Sequence, residues 1–83
     1  YTLTSADYEL VGNGNYGNFD VRAGKDEESV EARLAKINTI LLNNFPSDAD
    51  GQKYIVTYNI YNGAAGVWSM AVIKSGSAYI LQH

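Results

Sequence analysis

The chain has 83 residues, a formal net charge of −3 and no cysteine, and 46% of its residues are hydrophobic. This length predicts one domain, and the apolar share is too high for a disordered segment. The absence of cysteine excludes a disulfide framework and a thiolate metal site. No apolar run approaches the roughly 18 residues of a membrane span. A nucleic-acid footprint is also absent, because the six cations are scattered: Arg22, Lys25, Arg33, Lys36, Lys53 and Lys74.

The first twelve residues carry the signals of a short helix. Thr4 stands where an N-cap is expected, and Asp7 follows three residues later, as in a capping box. Leu3 and Tyr8 occupy the positions of a hydrophobic staple. Gly12 is suited to end the helix in a left-handed conformation. We therefore predict a short N-terminal helix that needs tertiary support.

The segment Asn13–Lys25 is rich in glycine and asparagine, which predicts a surface loop. We expect Tyr16 and Phe19 to pin this loop to the core. Phe19 and Val21 alternate with polar residues, so a short edge strand is the alternative. The glycines do not indicate a phosphate cradle, because the run lacks a Lys-Ser/Thr pair and does not join a strand to a long helix.

The longest predicted helix spans Asp26–Asn44. Its three leading acidic residues suit the positive end of the helix dipole, and Pro46 provides a stop. Arg33 and Lys36 lie off the predicted apolar stripe. That stripe recurs at spacings of three and four residues: Val30, Leu34, Ile37, Ile40, Leu41 and Phe45.

The rest of the chain is organised around Tyr54–Leu81, which predicts three antiparallel strands. The runs KYIVTYNIYNG, GVWSMAVIK and SAYILQ are separated by turn signals at Gly63–Gly66 and Ser75–Gly76. The fold class is therefore α+β, with one long helix packed on a three-stranded antiparallel meander, plus a short N-terminal helix. We expect the chain, residues 1–83, to be a single α+β domain excised from a longer protein.

The lengths of the turns determine which residues share a face of the sheet. A two- or four-residue first loop matches Tyr54, Val56, Tyr58 and Ile60 with Ser69, Ala71, Ile73, Ala78 and Ile80, whereas an odd-numbered loop reverses this match. Because Ser69, Ala71 and Ala78 are small, we assign their face to the long helix. The second turn, at Ser75–Gly76, pairs Val72 with Tyr79 and Met70 with Leu81.

The opposite face then carries the candidate binding site. An aromatic strip of Tyr61, Trp68 and Tyr79 would lie there beside Met70, and such rings stack on the C–H faces of sugars. Asn59 would supply a hydrogen-bonding neighbour. Two alternatives stay open: the strip is a second core layer under the N-terminal helix and the loop, or it contacts a neighbouring domain or another protein.

Three motifs together give a resemblance to a known type of domain: YxLTxxDY at Tyr1–Tyr8, ILLNNFP at Ile40–Pro46 and GQKYIVTYNIYNG at Gly51–Gly63. The chain resembles the small α+β modules of unknown function that are appended to surface or periplasmic lipoproteins of Gram-negative gut bacteria. This resemblance implies an extracytoplasmic, non-catalytic accessory domain, and it carries over no catalytic residue.

Other candidate chemistry is explained by local structure. Asp48 and Asp50 precede a turn glycine like part of a calcium loop, but the remaining oxygen ligands are missing, so we predict a helix-to-strand connection. His83 is the only histidine, and no serine has the setting of a nucleophile. We therefore predict no catalytic residue, metal or cofactor, and an interaction module with glycan binding as the alternative.

Overall fold

The computed structural model describes residues 1–82 and contains two helices and a four-stranded mixed sheet; His83 lies outside the described residues. The strand order is β1-β2-β3-β4, in which β1 pairs parallel to β2 and the other two pairs are antiparallel. The α+β class is confirmed, but the sheet has a fourth strand beyond the predicted meander. The elements are α1 Ser5–Leu10, β1 Phe19–Asp20, α2 Val30–Asn44, β2 Lys53–Tyr61, β3 Ala65–Ser75 and β4 Ala78–Leu81.

Within residues 1–82, neither helix has the length and apolar character needed to cross a membrane.

The N-terminal helix α1 begins with the predicted capping box. The Thr4 hydroxyl accepts from the Asp7 backbone N–H at 3.3 Å, and the Thr4 N–H donates to Asp7 Oδ2 at 2.9 Å. Leu3 and Tyr8 are both buried in the core, at 6% and 3% exposure. Gly12 follows the helix with a φ of 85°. Local sequence therefore specifies this helix, as predicted.

The outer edge of β2 is covered along its length by separate segments. Near its start, the amino group of Tyr1 donates to the Ile55 carbonyl at 2.8 Å, and the backbone N–H of Leu3 donates to the Thr57 carbonyl at 3.0 Å. Further along, the Asn59 N–H donates to the Tyr8 hydroxyl at 2.9 Å. Strand β1 covers the last part of the edge. This arrangement satisfies backbone groups that an edge strand would leave unpaired.

Phe19 is the side chain of strand β1 that enters the core, and the buried Val21 follows directly after the strand. Phe19 is fully buried, and its ring centroid lies 5.8 Å from that of Tyr8 and 5.4 Å from that of Tyr58. Tyr16, in contrast, is 87% exposed. The predicted anchoring of the loop is therefore confirmed for Phe19 and wrong for Tyr16. The pairing of β1 with β2 begins only at Phe19, and Tyr16 lies before it, separated from it by Gly17 and Asn18.

Helix α2 begins at Val30, four residues later than predicted. Ser29 is its N-cap and accepts from the Ala32 N–H at 3.2 Å, so the acidic residues before it are not in the first helical turn. Glu27 is instead buried, where its Oε1 accepts from Asn13 Nδ2 at 2.7 Å. Of the predicted stripe, Ile37, Ile40 and Leu41 are fully buried, and Val30, Leu34 and Phe45 pack against the same core.

The predicted match between β2 and β3 is wrong. Tyr61 pairs with Ala65, so the turn has the three residues Asn62–Ala64, with Gly63 at a φ of 79°. This odd length places Tyr54, Val56, Tyr58 and Ile60 on the helix side together with Trp68, Met70 and Val72. The physical reason is that this register buries large apolar side chains of β3, whereas the predicted one would have buried serine and alanine.

The second hairpin keeps the predicted faces and shifts the register. Ser75 pairs with Ala78 around a Gly76–Ser77 turn, so Val72 pairs with Leu81 and Lys74 with Tyr79. The turn lies one residue later than predicted, and the partner of each β3 residue therefore moves by two positions. A shift of two preserves the side of the sheet, because side chains alternate with a period of two.

Phe19→Ala is expected to lower the free energy of unfolding by about 3–5 kcal/mol, because it leaves a cavity where a buried ring joins β1 to the core. Tyr16→Ala, at the exposed position three residues earlier, is expected to change it by no more than about 0.5 kcal/mol. Urea unfolding followed by circular dichroism measures both values. Similar losses for the two variants would contradict this assignment of the loop anchor.

Candidate functional site

The five residues predicted to form one binding surface lie on two faces of the sheet. Asn59 and Tyr61 are on the face away from α2, and Trp68, Met70 and Tyr79 are on the face towards it. Tyr79 is 2% exposed and Met70 6%, so both belong to the core, while Trp68 keeps 41% of its surface exposed. The predicted aromatic strip therefore does not exist as a surface, because the three-residue turn reverses the match of β2 and β3.

Tyr79 is held in a hydrogen-bonded cluster around Asp48. Asp48 Oδ2 accepts from the hydroxyls of Tyr54 at 2.6 Å and Tyr79 at 2.7 Å. The Lys74 ammonium donates to the Asp48 carbonyl at 2.9 Å. Asp50, the other carboxylate of this connection, accepts from the Gly76 N–H at 3.1 Å. Both aspartates therefore tie the helix-to-strand connection to the sheet.

This cluster changes the ionisation of its members. Burial, with the hydrogen bond to Asp48 as the second cause, raises the pKa of Tyr54 to about 12 and also raises the pKa of Tyr79. The hydrogen bonds from Tyr54 and Tyr79 lower the pKa of Asp48. The ionised carboxylate and the two neutral phenols therefore stabilise one another.

A shallow cleft lies where the loop meets the end of β2, and we call it the Tyr16–Tyr61 cleft. Its lining is Tyr16, Asn18, Asp20, Arg22 and Tyr61. The Arg22 Nε and Nη2 donate to the two Asp20 oxygens at 2.9 and 2.6 Å, and the guanidinium lies 5.0 Å from the Tyr61 ring centroid. The hydrogen bond from Arg22 lowers the pKa of Asp20 to about 2.

The face of the sheet away from α2 carries an apolar surface that we call the outer patch: Ile55, Ala71, Ile73 and Ile80. Ile55 is 59% exposed and Ile80 46%. Ile55 pairs with Ala71 and Ile73 pairs with Ile80, so these side chains are neighbours on adjacent strands. Lys53 lies opposite Ile73 on the same face, at the border of the patch.

A second, open cleft lies between the start of α2 and the middle of β3, and we call it the Arg33–Trp68 cleft. Val30, Tyr58, Met70 and Leu81 supply apolar lining beside the two residues that name it. The Arg33 guanidinium carbon lies 4.9 Å from the Trp68 ring centroid. Burial raises the pKa of Tyr58, and the charge of Arg33 opposes that rise.

Sequence patterns missed Arg33 and Tyr16 as members of these clefts. Arg33 is three residues after Val30 and four before Ile37, which is the spacing of the buried stripe, but its charge placed it among the solvent-facing residues. Tyr16 and Phe19 are both expected to pin the loop to the core, but only Phe19 is buried. The helical spacing was the available signal for Arg33, and no local signal distinguished Tyr16 from Phe19.

Comparison of this chain with protein-family models, with curated proteins and with solved structures gave no match. The resemblance to accessory modules of bacterial lipoproteins therefore stays a prediction.

The Asp48 cluster predicts a loss of stability at alkaline pH. The ordinary pKa of tyrosine is 10.0, and the pKa of Tyr54 reaches about 12 in the folded chain. Above pH 10 the unfolded chain releases these protons first, so the free energy of unfolding falls as pH rises towards the folded pKa. Urea unfolding at intervals between about pH 9 and pH 11.5 measures the slope.

Tyr79→Phe is the matched variant, because it removes one of the two phenols and keeps the ring. Its slope is expected to be smaller than that of the wild-type chain over the same pH interval. Identical slopes would contradict the coupling of Tyr79 to Asp48.

Proposed function

We propose that this chain is a non-enzymatic interaction module that contacts another protein through the outer patch. The observation that supports this proposal is the exposure of neighbouring isoleucines on a sheet face that no helix of the described chain covers. Single exposed apolar residues are common on protein surfaces, but adjacent ones on two paired strands form a continuous surface. Burial of such a surface against a partner is favourable in proportion to its apolar area.

The state of the acidic residues supports contact as the mechanism. Asp7, Asp20 and Asp48 lie in three separate groups of hydrogen-bond donors. In each group the hydrogen bonds to the carboxylate hold its pKa low. At Asp7, burial opposes this effect, and the hydrogen bonds from Tyr1 and Asn44 outweigh it. A general acid near neutral pH needs the opposite shift. These groups are therefore suited to holding the fold together.

The position of the outer patch on a sheet face favours a protein as the partner. An apolar sheet face is normally covered by another layer of helix or sheet, because only such a layer removes the whole face from water. Lys53 at its border suits an acidic residue on the rim of the partner surface. The partner would be a neighbouring domain of the same protein or a separate one. The extracytoplasmic location follows from the resemblance and is part of this proposal.

A photo-crosslinking amino acid at Ile80 tests the proposal in cells that make the protein naturally. We expect a discrete crosslinked product from position 80 and a much smaller amount from Thr39, an exposed position on α2. Ile55→Lys in the Ile80 crosslinking chain is expected to lower the yield about tenfold, since it places a charge in the contact. Equal yields from Ile80 and Thr39, or no effect of Ile55→Lys, would contradict the proposal.

The Tyr16–Tyr61 cleft supports glycan binding as a second candidate. It combines an exposed aromatic ring with the planar polar groups of Asn18, Asp20 and Arg22, and Asn59 lies beside it, with its Nδ2 donating to the Gly17 carbonyl at 3.2 Å. Rings of this kind offer stacking surfaces, and the polar groups offer hydrogen bonds. Two of the predicted residues, Asn59 and Tyr61, thus stay next to the candidate sugar site.

Affinity gels containing polysaccharides test the glycan hypothesis. Tyr16→Ala is expected to abolish retardation of the protein, since it removes the most exposed ring of the cleft and leaves the core intact. Trp68→Ala is the comparison, because Trp68 was the central residue of the predicted strip. Loss of retardation in Trp68→Ala alone would move the sugar site to Trp68. A wild-type chain that no polysaccharide retards would contradict glycan binding.

A further inference from the structure

Arg33 is a buried cation that lacks hydrogen-bond partners. Its side chain is 9% exposed, and among the described residues its Nε and Nη1 have no acceptor. The nearby Trp68 ring offers a cation–π contact at 4.9 Å, which accepts no hydrogen bond from the plane of the guanidinium. Burying these two N–H groups without an acceptor is costly, so an anion that reached the guanidinium would stabilise this arrangement.

Lys74 is the other buried cation of residues 1–82, and its ammonium has a hydrogen-bond acceptor. Lys74 is 8% exposed, and its ammonium donates to the Asp48 carbonyl at 2.9 Å. Lys36 similarly contacts Glu27 Oε1 at 3.7 Å. Arg33 has no comparable contact among residues 1–82. Among the buried cations of residues 1–82, the lack of an acceptor is thus specific to Arg33, which lines the Arg33–Trp68 cleft.

Within residues 1–82, the same cleft runs along a part of the β3 edge that pairs with no other strand. Strand β4 pairs with β3 only over Val72–Ser75, and the Gln82 N–H adds one bond to the Ala71 carbonyl at 3.0 Å. Backbone groups of alternate residues point to the same side of a strand, so those of Val67 and Ser69 point to the side of Ala71, beyond the end of β4. Val67 and Ser69 both line the cleft.

We propose that an extended acidic segment of a partner protein binds along this edge. Its backbone would pair with Val67 and Ser69, in line with β4, and an aspartate or glutamate side chain would lie on the Arg33 guanidinium. Main-chain bonds in such strand addition contribute affinity, and the side-chain pocket contributes specificity. A carboxylate fits because guanidinium and carboxylate form strong charge-assisted hydrogen bonds, here in surroundings made apolar by Val30, Met70 and Leu81.

Trp68 provides the measurement, because it is the only tryptophan of the chain and lies in the cleft. Its fluorescence is titrated with the peptide acetyl-Thr-Val-Glu-Val-Thr-amide, whose single carboxylate is the glutamate. The matched peptide carries glutamine in place of glutamate. We expect the glutamate peptide to bind at least about tenfold more tightly, as hydrogen bonds to a charged group require.

Arg33→Met is expected to bind the two peptides with equal affinity, because it keeps an unbranched apolar stem and removes the charged guanidinium. Arg22→Gln is the control, since Arg22 already forms a bidentate pair with Asp20 elsewhere on the surface, and it keeps the preference for glutamate. Ile55→Lys, on the outer patch, also keeps that preference, which separates this proposal from the proposed function.

Amide hydrogen exchange provides a test that does not depend on a folded Arg33→Met variant. At saturating glutamate peptide, the Val67 and Ser69 amides of the wild-type chain are expected to exchange at least about tenfold more slowly, because strand addition gives them acceptors. Three results would overturn the proposal: equal affinity of the wild-type chain for the two peptides, no binding of either, or unchanged exchange at Val67 and Ser69.

Discussion

The three-residue turn Asn62–Ala64 determines which side chains of the β2–β3 hairpin reach the helix. Because side chains alternate along a strand, one residue more or fewer in this turn would exchange the faces of β3 relative to β2. The observed length brings Val56, Met70 and Val72 under α2 and leaves Ile55 on the outside. Gly63, at a φ of 79°, supplies the left-handed position that such a turn needs. The core, the outer patch and the Arg33–Trp68 cleft all follow from this register.

The two outer edges of the β2–β3 hairpin differ in how much of their backbone is hydrogen-bonded. The edge of β2 that faces away from β3 is covered by Tyr1–Leu3, the Tyr8 hydroxyl and β1. The backbone groups of β2 therefore have partners over most of this edge. Among residues 1–82, β4 pairs with β3 only along the second half of that strand. Unpaired edges are usually protected because they can recruit other strands. An edge left open beside an unpaired arginine is therefore the part of the sheet best prepared for a partner strand.

Buried polar groups connect the separate segments of this small core. Asp7 accepts from Tyr1 and Asn44, which joins the N-terminus to the end of α2, and Asp48 joins the connection before β2 to β4 through Tyr79. A chain of this length buries only a modest share of its surface, so such fully satisfied clusters specify the arrangement of elements that apolar contacts alone would leave loose. Arg33 is the exception, and that contrast gives its cleft functional interest.

Local sequence by itself determined the elements whose signals act within a few residues. The Thr4–Asp7 capping box, the apolar spacing of α2 and the alternation in β2–β4 predicted two helices and a meander, because capping and side-chain periodicity depend on neighbours along the chain. The predicted start of α2 at Asp26 is wrong by four residues. Acidic residues favour the start of a helix, but here the N-cap is Ser29, which follows them. The candidate site is divided, with Asn59 and Tyr61 on one face of the sheet and Trp68, Met70 and Tyr79 on the other. The tertiary structure alone decided the pairing of β2 with β3, the parallel addition of β1, and the burial of Arg33. Those features depend on contacts between residues distant in sequence, where the total apolar area buried outweighs the preference of any one segment.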